Sequence, residues 1–153
     1  MPGFEVVGNG LAAYFRVIQA RIHELTEPLS TEQLWTKPYR YGNSIGNLIL
    51  HVTGNLNYFI GAQIAQTGYV RQREQEFSGS GKPKAELLSA FDQAVEMTVS
   101  TISKQSDGDW SALYSADRTE HKDRFSMVLT CAGHANHHVG QIIYLQRELL
   151  ERA

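Results

Sequence analysis

The sequence predicts an all-α fold, a four-helix bundle built as one domain over residues 1–153. Apolar residues recur at three- and four-residue spacing in four long stretches, which is the pattern of amphipathic helices. Proline, glycine and helix-capping residues separate these stretches. A chain of 153 residues is long enough to bury one sizeable core and too short for two comfortable domains. Four amphipathic helices of this length bury their apolar faces economically in a bundle with a shared core.

The first predicted helix covers about residues 8–27. Its apolar stripe consists of Leu11, Phe15, Ile18, Ile22 and Leu25. The helix ends before Pro28, because proline disfavours helical geometry in the residue that precedes it. A short extra helix follows, since Ser30 and Gln33 have the spacing of a capping box.

The second and third predicted helices are delimited by cap and breaker residues. The second has Ser44 as its N-cap and ends near Gln66, where Gly68 stops it. The third opens at Pro83, since proline suits the first turn of a helix, and its apolar stripe continues to about residue 105. Between the two helices, residues 74–82 include the run Ser-Gly-Ser-Gly and are predicted to form a flexible loop.

The fourth predicted helix is the longest and covers about residues 124–150. Its apolar stripe includes Val128, Ala132, Ala135, Val139, Ile142 and Leu149. The segment before it, residues 110–123, is too long for a tight connection between helices. Trp110, Leu113 and Tyr114 in this segment predict a short strand pair or an extended flap.

Composition excludes several classes of partner. Lysine and arginine number 14 against 16 aspartate and glutamate residues, and no basic stripe appears, so we expect no nucleic-acid partner. The most apolar stretch is interrupted by Asn47, His51, Asn55 and Asn57, which predicts that no helix spans a membrane. The first residues lack the basic and apolar regions of an export signal, and the single cysteine, Cys131, cannot form an internal disulfide. We therefore expect a cytoplasmic protein.

The histidines carry the information about function. Three of the six lie within five residues, at His134, His137 and His138. On a helical wheel with about 100° per residue, His134 and His138 lie about 40° apart at one rim of the apolar stripe. His137 lies opposite the core, where it faces solvent or a partner chain. Because residues four apart project from one face of a helix, His134 and His138 can bind one metal ion together.

A third ligand is expected from the second helix, at His51. Asn47, Asn55 and Tyr58 fall within about 40° of His51 on the wheel and form a polar strip that borders the core. Two facing helices that each place histidine at the rim of the core can hold a metal ion between them. For each histidine the alternative is a surface or core position without a ligand role.

Other kinds of catalytic site fit the sequence less well. His134 is not followed by the glutamate that zinc metallopeptidases use as a general base. The chain has no Glu-x-x-His pair of the kind found in ferritin-like di-iron centres. No acidic residue adjoins His51, His134 or His138 in the sequence, so a general base is not evident. Cys131 lies on the apolar side of its helix and is expected to be a small buried hydrophobic residue.

The pattern His-x-x-x-His-x-Gly-Gln at residues 134–141, together with the stretch 46–51 that ends in His51, resembles the DinB/YfiT-like superfamily of four-helix metalloproteins. The resemblance covers nearly the whole chain, including the helix count and the long connection before the last helix. It implies that His51, His134 and His138 bind a divalent metal ion, zinc or nickel, and it gives His137 no ligand role. Homodimers are frequent in the superfamily, so the resemblance also implies a homodimer.

The same resemblance implies a metal-dependent enzyme with a small-molecule substrate. Characterised relatives include transferases and isomerases that use bacillithiol, mycothiol or glutathione. The leading hypothesis is therefore a thiol-dependent S-transferase or isomerase that acts on small electrophiles, with a low-molecular-weight thiol as co-substrate. Asn47, Asn55 and Gln141 are candidates for hydrogen bonds to a cofactor, a substrate or the ligand histidines.

Two alternatives remain. The first is a metal-dependent hydrolase of small esters or amides, in which metal-bound hydroxide would be the nucleophile. The second is a non-enzymatic bundle that acts by binding metal or by dimerising. Gly46, Gly54 and Gly61 lie on one side of the second helix, and such small residues permit close approach within the fold or between chains.

Overall fold

Seven α-helices and one π-helical segment form the parts of the chain that the computed structural model describes, residues 3–114 and 122–153. The elements are α1 (Gly3–Thr26), α2 (Thr31–Trp35), α3 (Ile45–Leu56), a π-helix (Asn57–Ala62), α4 (Arg73–Ser78), α5 (Lys84–Ser103), α6 (Asp107–Trp110) and α7 (Arg124–Glu151). The predicted all-α class is confirmed. The capping box that predicted the short helix after α1 is also present, with Ser30 bonded to Gln33 at both backbone and side chain.

The long helices α1, α3, α5 and α7 form the bundle. Helix α1 packs against α5 and α7, and α3 packs against the same two helices, so each pair encloses one shared core. The core's large side chains include Phe15 of α1, Ile49 of α3 and Phe91 of α5, all fully buried. None of the helices in the described ranges combines the length and the hydrophobicity that crossing a bilayer requires.

The π-helix continues α3 and changes its hydrogen bonding. The amide hydrogen of Gln63 bonds to the carbonyl of Tyr58, five residues earlier, and that of Ile64 bonds to the carbonyl of Ile60. The hydroxyl of Tyr114 donates to the carbonyl of Phe59 at 2.9 Å. The π-helix thereby fastens the segment that precedes α7 to the end of α3.

Glycines on α3 and the π-helix allow other elements to come close. A Cβ at Gly46 would lie 2.6 Å from the ring of Trp35, and one at Gly61 would lie 3.1 Å from the methyl carbon of Met97. The close approach that the glycine spacing predicts is therefore found within the fold, against α2 and α5.

The segment predicted as a flexible loop, residues 74–82, contains a helix instead. Helix α4 has only six residues and lacks a side-chain N-cap, so the local sequence does not predict it. Its stability comes from α3, where the amide of Asn47 donates to the carbonyls of Glu76 and Gly79 at 3.1 and 2.9 Å. The buried side chain of Glu76 anchors it further.

The prediction of a strand pair in residues 110–123 is wrong for the described part of that segment. Trp110 ends the short helix α6, whose N-terminus carries a capping box of Ser106 and Asp109. The pairing that remains is a single antiparallel bridge between Leu113 and Asp123. Burial of the Trp110 indole, which is 1% exposed, explains why the chain turns into a helix here. Residues 115–121 of the predicted segment lie outside the described residues.

We expect Gly133→Ala to stabilise the protein by about 0.5–1 kcal/mol, because alanine loses less backbone entropy in a helix than glycine does. Gly133 lies on the exposed face of α7, and a Cβ there would meet no described atom within 4 Å. Urea denaturation measures the change in the free energy of unfolding. Gly46→Ala is the control and should destabilise the protein, because its Cβ would overlap the Trp35 ring. A loss of stability in Gly133→Ala would contradict the prediction.

Candidate metal centre

Three histidines from two helices meet at one point between α3 and α7. The Nε2 atom of His134 lies 3.1 Å from Nε2 of His51 and 3.0 Å from Nε2 of His138. His51 is 7% exposed and His138 is 9% exposed. These are the three residues that the helical wheels and the family resemblance single out as metal ligands. His137 is exposed and stands outside the cluster, as the wheel predicts.

The local sequence explains the convergence. On α7 the four-residue spacing of His134 and His138 places both rings on the side that faces α3. On α3 the ring of His51 lies edge-on to both, with centroid distances of 4.9 and 5.1 Å. Packing of α3 against α7 then brings one imidazole of the first helix onto a pair from the second.

The hydrogen bonds at the far side of two rings fix which nitrogen faces the centre. Nδ1 of His51 lies 2.8 Å from Oε2 of Glu76, and Nδ1 of His138 lies 2.7 Å from Oε1 of Gln141. Each Nδ1–H donates to the oxygen opposite it, so each Nε2 directs a lone pair toward the centre. Lone pairs that converge in this way are suited to share a bound cation or a proton on Nε2 of His134.

The donor set fits a divalent metal ion. Imidazole nitrogens that bind one zinc ion at about 2.0–2.1 Å in a tetrahedral arrangement lie about 3.3 Å apart. The two measured separations, 3.1 and 3.0 Å, are within a few tenths of an ångström of that value. Among the described residues, the three histidines are the group whose ligand atoms could hold an ion together. Three protein ligands also leave a coordination position for water or substrate, as in catalytic rather than structural sites.

Glu76 holds His51 in place and is itself held by Arg71. The Arg71 guanidinium donates from Nε to Oε1 at 2.7 Å and from Nη2 to Oε2 at 2.9 Å. Burial raises the pKa of Glu76, but hydrogen bonds from His51 and Arg71 and the charge of Arg71 outweigh it and lower the pKa overall. Glu76 is therefore a carboxylate at neutral pH. It fixes the ring orientation of His51 and strengthens the basicity of its Nε2.

Sequence reasoning missed both Glu76 and Arg71. Glu76 is 25 residues from His51 and lies in the segment predicted as a loop. One signal was available on α3, where Gly54 stands one turn after His51. A Cβ at Gly54 would lie 2.1 Å from Oε1 of Glu76, so glycine at this position makes room for the carboxylate.

The three predicted cofactor contacts have different surroundings. The amide hydrogens of Asn47 bond to backbone carbonyls of α4 and its C-cap, and its oxygen accepts from Ser44 at 2.7 Å. Asn47 thus positions the helix that carries Glu76 and has no amide hydrogen left for a cofactor. Gln141 contacts His138 directly. Asn55 lies beside His134 in a small cavity. Cys131 lines the same cavity and is buried, as predicted.

Burial favours the neutral form of two histidines of α7, His134 and His138. Burial is the largest cause that lowers the pKa of His134, from 6.5 to about 3, followed by the neighbouring imidazoles and Arg71. Burial also lowers the pKa of His138, against the hydrogen bond to Gln141, which raises it. Neutral imidazoles are the form that binds metal ions.

We expect the metal-free protein to lose stability as the pH falls from about 6.5. Unfolded histidine binds a proton near pH 6.5, whereas His134 in the fold binds one only near pH 3, so acid favours the unfolded chain. Protonation of Glu76, whose pKa is lowered in the fold, also reduces stability, but only below the ordinary glutamate pKa of 4.5. The loss of stability between pH 6.5 and 4.5 therefore reports the histidines. Urea denaturation at several pH values measures the slope. His134→Asn should flatten it and His137→Asn should leave it unchanged, and equal slopes in both variants would contradict the prediction.

The fold resembles that of a protein of known structure. A conserved protein from Enterococcus faecalis superposes with a TM-score of 0.79 and 16% sequence identity. The match covers 95% of this chain and 98% of the other. At this identity the likeness concerns the fold alone. No functionally curated protein matches the chain significantly.

A family model identifies the chain more specifically. The model of the DinB superfamily matches residues 14–142, which is most of the chain. The matched range includes α3 and the part of α7 that carries His134 and His138. The chain belongs to the DinB superfamily.

Proposed function

We propose that the protein is a metal-dependent enzyme, a thiol-dependent S-transferase or isomerase that acts on small electrophiles. The observation that carries the proposal is the convergence of three imidazoles, two of which are oriented through their Nδ1 atoms by Glu76 and Gln141. His51, His134 and His138 would hold the ion. Zinc or nickel suits this all-nitrogen donor set.

The charge of the ligands supports thiol chemistry. Three neutral ligands leave the charge of a bound divalent ion uncompensated, and such an ion stabilises a thiol as its thiolate, the nucleophilic form. The carboxylate of Glu76 is neutralised by Arg71 and contacts the far side of His51, so it does not add its charge to the ligand set. Within residues 3–114 and 122–153, the three histidines therefore form a centre to which no carboxylate contributes as a ligand.

The arrangement of Glu76 favours a transferase over a hydrolase. A hydrolase needs a base that takes a proton from the attacking water. Both oxygens of Glu76 already accept hydrogen bonds, from His51 and from Arg71, and the lowered pKa makes the carboxylate a weak base. A thiolate attacks without this help, because its proton is lost before the reaction.

A cavity that includes Gln141, the hydrogen-bond partner of His138, is large enough for a small substrate. It has a volume of about 620 Å³ and is lined by Gln141 and His137 of α7 and by tyrosine rings. This volume is typical of small-molecule pockets. The rings of Tyr39 and Tyr41 stack with centroids 5.6 Å apart, and Tyr144, which also lines the cavity, is 72% exposed. A homodimer and a cytoplasmic location stay predictions.

The test is transfer from a thiol to a chromogenic aryl halide. In this reaction the sulfur–carbon bond forms, the carbon–halogen bond breaks, and the thiol proton goes to solvent. The zinc- and nickel-loaded proteins are assayed with glutathione, bacillithiol and mycothiol, and a nitrophenyl ester without thiol is the parallel substrate. The chelated protein and His51→Ala serve as controls.

Turnover that needs both metal and thiol supports the proposal. If the metal-loaded protein cleaves the ester without thiol and transfers no thiol, the hydrolase hypothesis would replace the transferase proposal. No turnover of either substrate by a folded, metal-loaded protein would contradict an enzymatic role and leave the non-enzymatic bundle.

A further inference from the structure

A small cavity lies between α3 and α7 behind His134. It has a volume of about 40 Å³ and is lined by Asn55, Phe59, Met127, Thr130, Cys131 and His134. A water molecule needs about 10–15 Å³ of such volume, so the cavity has room for one. It is too small for a substrate or a thiol cofactor.

Two buried polar atoms border this cavity without a direct partner. Oδ1 of Asn55 and Nδ1 of His134 make no hydrogen bond to any group in the described part of the chain. Asn55 is 6% exposed. A buried polar atom without a hydrogen bond destabilises the fold, so native proteins satisfy such atoms with protein groups or ordered water. One atom is an acceptor and the other is a donor when Nε2 faces the metal centre.

The other two histidines show what is missing at the third. Nδ1 of His51 has Glu76 as its acceptor, and Nδ1 of His138 has Gln141. Histidines that bind metal nearly always donate the other ring N–H to a carboxylate, a carbonyl or a water molecule. His134 therefore requires an acceptor for its Nδ1–H, and the cavity that His134 and Asn55 both line could hold one.

We propose that one ordered water molecule occupies this cavity and that Asn55 positions His134 through it. The water accepts a hydrogen bond from Nδ1–H of His134 and donates one to Oδ1 of Asn55. This fixes His134 in the tautomer that directs the Nε2 lone pair to the centre. Asn55 is thus a positioning residue, equivalent in effect to Glu76 for His51 and Gln141 for His138. The role in metal binding rests on the proposed function.

The variants Asn55→Leu and Asn55→Asp separate this role from packing. Leucine has a similar size and no acceptor, whereas aspartate keeps an oxygen at the same position. We expect Asn55→Leu to weaken zinc binding by about 10–100-fold, the range typical for loss of a hydrogen bond to a ligand histidine, and Asn55→Asp to retain it within a few-fold. Competition with a chromophoric chelator measures zinc affinity, and circular dichroism shows that each variant is folded.

A second readout does not depend on the variants. A high-resolution crystal structure of the wild-type protein should contain a water molecule within hydrogen-bond distance of both Asn55 Oδ1 and His134 Nδ1. In the zinc-loaded protein, ¹⁵N NMR should show His134 protonated at Nδ1. A dry cavity, or Asn55→Leu that is folded and binds zinc as tightly as the wild type, would overturn the proposal.

The two proposals fail in different ways. Wild-type protein that binds neither zinc nor nickel would overturn the proposed function. The water site is then decided by the crystal structure of the metal-free protein, because both polar atoms are buried in the fold itself. If the three histidines bind zinc and the cavity contains no water, the proposed function stands and Asn55 has no positioning role.

Discussion

Replacing His134 by alanine is expected to lower the affinity of the chain for zinc by at least about a hundredfold. Loss of a group that merely orients a ligand typically costs 10–100-fold, and loss of the ligand itself costs more. His134 is the central member of the cluster, since its Nε2 lies within 3.1 Å of Nε2 of both other histidines. Without it, His51 and His138 would bind an ion as a pair, with two positions left to water.

His137→Ala is the matched control for this prediction. It removes the same side chain from the same helix, three residues further on, where the residue is exposed and outside the cluster. Metal content after dialysis against a buffered zinc solution, and competition with a chromophoric chelator, give the affinities. Equal affinity in His134→Ala and the wild type would show that zinc binds elsewhere. A loss of affinity in His137→Ala that matches the loss in His134→Ala would assign the ion to a different set of histidines.

The cluster of histidines was predictable because it depends on regular helix geometry. Spacing on α7 places His134 and His138 on one face and His137 on another, and α3 and α7 are long enough for the wheel to be reliable. That α3 faces α7 follows from a bundle with one shared core. The ligand set therefore depends on periodicity, which the sequence displays directly.

Glu76 and Arg71, the residues that orient the ligand histidine His51, could not be predicted from periodicity. Glu76 reaches His51 from α4, a helix of six residues whose position depends on bonds to Asn47 rather than on its own sequence. Likewise Arg71 precedes α4, outside any helix, and its partner is defined only by the fold. Contacts of this kind depend on how short segments pack, and no periodic pattern encodes them.

The strand-pair prediction for the connection before α7 was wrong for a related reason. Trp110 and Tyr114 are residue types that favour strands, yet Trp110 is buried at the end of α6 and the hydroxyl of Tyr114 donates to the carbonyl of Phe59 in the π-helix. Aromatic residues favour strands only as a statistical preference, and burial against the bundle overrides it. The run Asp107–Gly108–Asp109 forms the capped turn of α6.

Replacing Gly54 by alanine is expected to damage the metal centre without touching a ligand. The new Cβ would lie 2.1 Å from Oε1 and 2.8 Å from Cδ of Glu76, so the whole carboxyl group must move. The partners of that carboxylate are the buried His51 and the partly buried Arg71, and a displaced Glu76 loses its hydrogen bonds to them. We expect zinc affinity to fall by about 10–100-fold, the typical cost of losing the acceptor behind a ligand histidine.

The effect on stability should be smaller than the effect on zinc binding. Overpacking costs about 1–3 kcal/mol, but alanine in place of glycine inside a helix recovers up to about 1 kcal/mol of it. Gly61→Ala is the control, since its Cβ would meet the flexible methyl end of Met97 at 3.1 Å, away from the histidines. Zinc affinity should be unchanged in Gly61→Ala, and unchanged affinity in Gly54→Ala would contradict the prediction.

A double-mutant cycle identifies Glu76 as the route of the effect. In Glu76→Ala the carboxylate is absent, so His51 has lost its acceptor and the space next to Gly54 is open. If Gly54→Ala acts by displacing Glu76, the two substitutions lower zinc affinity by similar factors, and together they lower it no further than Glu76→Ala alone. Independent effects would instead multiply, because free energies of separate sites add. If the two losses of zinc affinity multiply in the double variant, Gly54 does not act through the room that it leaves for Glu76. Its effect on the centre would then pass through the backbone of α3.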